Sequence, residues 1–381
     1  MAAGGDWIES RRRTSRATVP NAIHSSAARW STVSVTHEFR PGLEFDVASL
    51  ERYLAQHLPG FQCPLRIHQF AGGQSNPTYR LDALNASYVL RKKPPGVLLP
   101  SAHAVDREYR VMHALATHTE FPVAKPLLLC EDPAVIGTAF FVMHYVDGRI
   151  FWDPALPELS PEVRQSVFGQ MVETLADLHA IDYRQIGLAD YGRPEGYVAR
   201  QVGRWSKQYA VDTEAAGRVP AMEQLIEWLP KHAPAQQPAP SLVHGDYRLD
   251  NMMFNVDVSR VVAVLDWELS TLGDPMTDFA YHLMMYRMPS GGVRGLKGID
   301  LKELGIPAEK EYVARYCARL GLEGLPDLEY YMAFCLFRLA GICHGIAGRI
   351  QRGTAVSPEA KNYTAQVAPL AELALKTALR A

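Results

Sequence analysis

The chain has 381 residues, of which 48% are hydrophobic and 21% charged, and its formal net charge is −2. These values describe a globular protein long enough for two domains or one two-lobed unit with a substantial core. They exclude a strongly basic nucleic-acid binder, and five cysteines without a CxxC pair argue against a disulfide framework and fit a cytoplasmic setting.

Residues 1–40 read as a flexible tail: Arg11, Arg12, Arg13, Arg16 and Arg29 lie among Ser, Thr and Ala with little apolar periodicity. An organelle-targeting peptide is the other reading, and Asp6 and Glu9 speak against it, because such peptides avoid acids. Apolar spacing predicts a helix over 45–57 and strands over 65–70, 78–81 and 87–92, with turn chemistry at 71–77. A helix is expected over 102–116. Its stripe of Val105, Met112 and Leu115 also carries Glu108, and a carboxylate on an apolar stripe demands a cation. Strands at 127–130 and 138–145 follow, on either side of a turn at 131–133.

Beyond residue 146 the texture turns helical. Ser160 caps and Pro161 opens a helix, and further helices are expected over 197–210, 220–229, 275–286, 308–320, 327–350 and 358–380. A Pro-rich connector at 232–240 leads to a hairpin formed by 252–254 and 261–265. The expected division is a tail to 40, a sheet-rich lobe over 41–146 and a helical lobe over 147–381. No uninterrupted apolar run approaches the ~18 residues that span a bilayer, so no membrane partner is expected.

The chemistry concentrates in His244-Gly245-Asp246-Tyr247-Arg248-Leu249-Asp250-Asn251 and in Val264-Leu265-Asp266-Trp267-Glu268. An aspartate, an asparagine five residues later and an aspartate ending the next apolar run are the polar parts of a phosphoryl-transfer site. In that chemistry Asp246 accepts the proton of an attacking hydroxyl. Asn251 and Asp266 hold Mg²⁺, a hard cation that prefers oxygen. A single Asp here would read as a turn former; the trio, at the end of one hairpin, selects the functional reading. No GxxxxGK[ST] occurs, so a P-loop NTPase is unsupported. Gly72, Gly73 and Ser75 lie between strands, where backbone N–H groups can approach phosphates or simply turn a hairpin.

HGDYRLDN followed by VLDWELSTLGDPMTDFA resembles the aminoglycoside phosphotransferase and choline kinase superfamily, over about residues 45–350. The run YVLRKKPPG at 88–96, with Leu99-Pro100-Ser101-Ala102-His103, is similar to the kinase-like domain fused to acyl-CoA dehydrogenases and to its stand-alone bacterial relatives. The resemblance implies an α+β, two-lobed protein-kinase-like fold, ATP and Mg²⁺ as cofactors, and a small-molecule hydroxyl acceptor such as a hydroxyacyl-CoA or hydroxy acid. It implies a strand cation that reaches the nucleotide phosphates and pairs with Glu108. Arg91 stands at that position and shares a strand face with Val89, whereas Lys92 points the other way. It implies that the backbone at Met143 to Tyr145 meets the adenine edge. Arg91 departs from the lysine usual in kinases. DWE in place of DFG, with no Ala-Pro-Glu motif after it, points away from protein substrates.

The remaining candidates divide between chemistry and support. His244 is expected to orient its loop, and Asp274 and Asp278 to cap or anchor. Arg248 either neutralises a transferred phosphoryl group or pairs with a nearby acid. Cys343-His344 and the set Tyr330, Tyr331, Phe334 and Phe337 read as core. Arg338 and Arg349 read as a solvated helix face or as contacts to an anionic acceptor. Competing functions are an antibiotic phosphotransferase, a protein kinase and a non-catalytic nucleotide-binding module. A cationic acceptor wants an acidic cleft wall and an acyl-CoA a basic one.

Overall fold

Alternating side chains decide how the first half of the chain is layered. The computed structural model describes residues 35–36, 39–70, 76–95, 103–290, 295–353 and 360–381. In chain order the first elements are β1 (Val35–Thr36), α1 (Val47–His57), β2 (Arg66–Phe70), β3 (Thr78–Asp82), β4 (Ser87–Lys92), α2 (Val105–His118), β5 (Pro126–Cys130), α3 (Pro133–Ile136) and β6 (Phe140–His144). The strands form one antiparallel sheet in the order β1-β2-β3-β4-β6-β5. One face, with Tyr79, Leu81, Tyr88, Leu90, Phe140 and Val142, packs with Leu50 and Leu54 of α1 in its own hydrophobic cluster. The opposite face sends Phe141 into the main core with Val105, Met112 and Leu115 of α2. The period of two thus separates an outer core from an inner one. Asp46 starts α1 by accepting from the Ser49 N–H at 3.0 Å.

The second half contains β7 (Arg149–Ile150), α4 (Pro161–Ala180), α5 (Tyr197–Ala216), α6 (Pro220–Lys231), β8 (Ser241–Val243), β9 (Met252–Phe254), β10 (Val261–Val264), β11 (Thr271–Gly273), α7 (Pro275–Leu283), α8 (Leu301–Leu304), α9 (Glu309–Leu320), α10 (Leu328–Gln351), α11 (Ala360–Thr364) and α12 (Val367–Ala378). Two small antiparallel sheets, β10-β9-β7 and β11-β8, lie among these helices. The architecture is α+β and two-lobed. Ser160 caps α4 through the Val163 N–H, as its sequence position predicts. α10 is apolar and long enough to cross a membrane by length and composition, but 78% of its apolar window is buried within the protein. It is a core helix.

Several local expectations are corrected. Val35–Thr36, inside the segment read as a tail, pairs with β2. The turn at 131–133 becomes α3, because Asp132 caps the Ala134 N–H. The single helix expected over 358–380 is divided into α11 and α12, with the break at residues 365–366.

Trp267 ties the β10 turn to both halves. It is fully buried, donates from Nε1 to the Val264 carbonyl at 2.9 Å, and lies 5.8 Å from the Phe121 ring and 4.8 Å from the His244 ring. Trp267→Ala is expected to lower unfolding free energy by about 3–5 kcal/mol, measured by urea titration.

Candidate active site

The 244–251 loop leaves the buried strand β8 with its peptide groups facing inward, and each needs a partner. Asp278, in the first turn of α7, supplies two acceptors. Its Oδ2 takes the His244 N–H at 2.6 Å and its Oδ1 takes the Gly245 N–H at 2.8 Å. The Gly245 carbonyl accepts from Arg338 Nη2 on α10 at 2.8 Å. Gly245 has φ +83°, and a Cβ there would lie 2.7 Å from the Leu269 carbonyl oxygen, so only glycine fits. His244 Nε2 donates to the Leu265 carbonyl at 2.8 Å, which leaves Nδ1 to accept the Asp246 N–H at 3.2 Å. His244 therefore orients the loop and links it to β10, as expected.

Asp246 emerges with its carboxylate held at both oxygens. Asn251 Nδ2 donates to Oδ2 at 3.1 Å and to the Asp246 carbonyl at 2.9 Å. Arg248 Nε lies 3.2 Å from Oδ1, and the other end of this guanidinium lies 3.3 Å from Asp250. Of the two roles open for Arg248, the structure shows the acid pairing. The Tyr281 hydroxyl meets the Asp246 carboxylate, and burial, with that charge beside it, pushes the phenol well up.

Asp266 follows β10 in the left-handed region, at φ 65°. Such a conformation is strained for a non-glycine residue and turns its side chain out of the strand direction. The Leu265 N–H donates to the Asn251 carbonyl at 2.8 Å, so the hairpin brings Asp266 to the same end as Asp246 and Asn251. Asp266 Oδ1 accepts from Arg91 Nη2 at 2.5 Å.

Arg91 is the hub between the sheet and this end. Its Nε lies 2.8 Å from Glu108 on α2, and Nη2 lies 3.7 Å from Glu268. Burial, then the charges of Asp266 and Glu268, push the Glu108 carboxyl up to about 7 although Arg91 pulls it down. Lys92 faces the outer core instead, 5.0 Å from the Phe45 ring centroid, as strand alternation requires. Three carboxylates surround one guanidinium, so the cluster carries surplus negative charge that suits a hard cation. The Asp266 and Glu268 carboxylates offer oxygen, the donor type that Mg²⁺ takes together with water and phosphate. Among the described residues no group of three or more His, Cys, Asp or Glu could by itself hold a metal ion.

The β4–β6 register pairs Val89 with Met143 and Arg91 with Phe141. Met143 therefore lies on the same sheet face as Arg91. Tyr145 sits one residue beyond β6, where its N–H donates to the Ser87 carbonyl at 3.4 Å and its ring lies 4.5 Å under Arg80. Gly72, Gly73 and Ser75 lie outside the described residues. The next described residue, Asn76, is buried and donates to Glu268 at 3.4 Å.

Asp274 caps α7 through the Met276 N–H at 2.9 Å and accepts from the Tyr331 hydroxyl at 2.7 Å. Tyr330, Tyr331, Phe334, Phe337 and Cys343 are core, and His344 Nε2 donates to the Gly217 carbonyl at 2.8 Å. Arg338 corrects its expected place. It is neither a solvated helix face nor a group free for an acceptor, but a strut under the Gly245 carbonyl, 4.9 Å from the Tyr281 ring and 5.8 Å from the Trp205 ring. Its signal was in the sequence: a cation inside an apolar helix raises the same question as Glu108 does. Tyr281 was missed too, although it lies one helical turn after Asp278.

A lobe built on an antiparallel sheet, whose internal Arg–Glu pair reaches Asp266 of a helical lobe that carries an Asp–Asn loop, defines a kinase-like phosphotransferase fold. The chain belongs to the phosphotransferase enzyme family, whose match covers residues 66–331. It is 44% identical to "Acyl-CoA dehydrogenase family member 11" of Rattus norvegicus over 91% of this chain, but it spans only 45% of that protein. A crystal structure from Ralstonia eutropha, provisionally classed as an aminoglycoside phosphotransferase, is 46% identical, with a TM-score of 0.82, and covers 88% of this chain and 99% of that one. A thermostable aminoglycoside phosphotransferase in complex with AMP-PNP and hygromycin B shares the fold at 17% identity, with a TM-score of 0.57 over 86% of this chain and 98% of that one.

Asp278 gives a test of the loop anchor. Burial would raise its carboxyl, but the hydrogen bond and charge of His179, with the His244 contacts, hold it below the ordinary carboxylate range. The unfolded chain then takes up the proton first, so the stabilisation is present above about pH 4 and is lost as pH falls through the folded value. Urea midpoints should drop with acidification in the parent, and less steeply below about pH 4 in Asp278→Asn. Equal slopes would refute the anchor.

Proposed function

We propose that this protein moves the γ-phosphoryl group of ATP to a hydroxyl of an anionic small molecule, a hydroxyacyl-CoA or hydroxy acid, with Mg²⁺. The observation that carries the reading is the Asp246–Asn251 contact at 3.1 Å, next to an Asp266 that is held by the Arg91–Glu108 pair. The nucleotide complex of the distant relative above supports nucleotide use. The kinship with acyl-CoA dehydrogenase family members supports an acyl-CoA or related acid as acceptor. In this reading residues 41–146 hold the nucleotide and residues 147–381 hold the acceptor. Five free cysteines fit a cytoplasmic setting.

The residues present fit Mg²⁺ and ATP. Asn251 and Asp266 would hold the metal, which, when bound, adds positive charge against the phosphate oxygens. Asp246 accepts the hydroxyl proton as that oxygen attacks. Asn251 fixes one carboxylate oxygen of the base, and Arg248 pairs with the other at 3.2 Å. Arg91 has two more carboxylates within reach than it needs, so it can turn toward a phosphate while Glu108 keeps it in place. The backbone at Met143 to Tyr145 would meet the adenine edge. Arg248 stands beside Asp246 at 3.2 Å, and its guanidinium would favour an anionic acceptor over a cationic aminoglycoside.

Asp246→Asn is expected to reduce acceptor-dependent ADP release by about 10²- to 10⁴-fold while AMP-PNP still binds. EDTA should abolish turnover, and Asp266→Ala should remove the Mg²⁺ dependence of nucleotide binding seen by calorimetry. Turnover near that of the parent in Asp246→Asn would sink the base assignment. ATP binding without transfer to any hydroxyacyl-CoA, hydroxy acid, choline or aminoglycoside would favour a non-catalytic module.

A further inference from the structure

A cavity of about 60 Å³ opens beside Arg248 and Tyr281, two of the three side chains that touch the Asp246 carboxylate. Its remaining wall is apolar: Met284, Met285 and Met288 after α7, Leu339 on α10, and Trp152, which is half exposed. The charged lining residues, Arg248 and Asp250, pair with each other at 3.3 Å. His282 is buried, which pushes its pKa down to about 4, and it shares a 2.6 Å hydrogen bond with the Tyr312 hydroxyl. It is therefore neutral at physiological pH. A polyhydroxylated or cationic group finds no unpaired charge in this wall, whereas an alkyl group gains burial.

Resting on the phosphotransferase reading above, we infer that this cavity is an acceptor subsite for a short unbranched alkyl segment next to the reacting hydroxyl, and that Met285 and Met288 set its length. The size argues for a chain rather than a ring, since a cavity of roughly 150 Å³ is what admits benzene. The backbone behind the two methionines is pinned. Leu296 N–H donates to the Met285 carbonyl at 2.7 Å and Lys297 N–H to the Met288 carbonyl at 3.0 Å. Gly295 approaches so closely that a Cβ on it would lie 1.9 Å from the Met288 carbonyl oxygen. The floor is thus fixed, while the thioether side chains can adapt to a chain that slides in between them. Hydroxyl at Asp246, alkyl segment against the methionines and anionic head toward Arg248 is one consistent pose.

The test uses the full chain and straight-chain 2-hydroxyalkanoates from butanoate to decanoate. Acceptor-dependent ADP release and calorimetric binding, the latter with AMP-PNP and Mg²⁺, are both measured. In the parent, kcat/KM and affinity should rise about fourfold per methylene over the first members and then level off. Met288→Trp, and Leu339→Phe from the α10 side, should move the plateau to shorter chains, and Met288→Ala to longer ones, with melting curves reporting that each variant is folded. One chain-length profile shared by the parent and all three variants overturns the subsite. Turnover of no acceptor at all counts against the phosphotransferase reading instead, and the calorimetric profile then decides on the cavity by itself.

Discussion

A buried guanidinium placed among three carboxylates is the constraint on which the site depends. Arg91 comes from the sheet, Glu108 from α2, and Asp266 and Glu268 from the turn after β10. None of these side chains could be removed from water alone, because an unpaired buried charge costs several kcal/mol. Together they oblige the sheet, the helix and the second lobe to meet at one point. They also leave the meeting point short of positive charge, so the arrangement that joins the lobes is also one that a metal–phosphate ligand can complete. Structural and chemical roles are carried by the same atoms.

The 244–251 loop follows the same logic through its backbone. Two inward N–H groups and one carbonyl are satisfied by Asp278 and Arg338, from α7 and α10. With the peptide plane of Gly245 fixed from both sides, Asp246 has little freedom left, and Asn251 and Arg248 remove most of the rest. As the proposed base, Asp246 would give up little entropy on meeting a substrate.

What was legible in the sequence follows from the range of each interaction. Period-two burial in 66–92 separated Arg91 from Lys92, because one strand face is a local property. Glu108 betrayed its partner, because an acid on an apolar stripe has no bland explanation. The Asp246, Asn251 and Asp266 spacing was legible because one hairpin sets it. Tyr281 was not, and Arg338 was legible only as a cation inside an apolar helix, since their roles arise only where α10 and α7 pack beside a loop that is distant in sequence. The capping of α3 by Asp132 was too short a signal to compete with Pro133 read as a turn. β1 was lost because a two-residue strand carries no periodicity.

The distribution of charge across the site gives the two lobes different tasks. On the sheet side, carboxylates outnumber the cation between them, which suits a ligand that brings its own positive charge with its phosphates. On the helical side Arg248 is paired with Asp246 and Asp250, and the apolar wall of Met284, Met285 and Met288 begins directly beside it. In the function proposed above, an acceptor with an apolar flank beside its hydroxyl would gain burial on that side. On that proposal, substrate choice lies in the wall beyond Asp246 rather than in Asp246 itself, since the 244–251 loop would take a proton from whichever hydroxyl the wall presents to it.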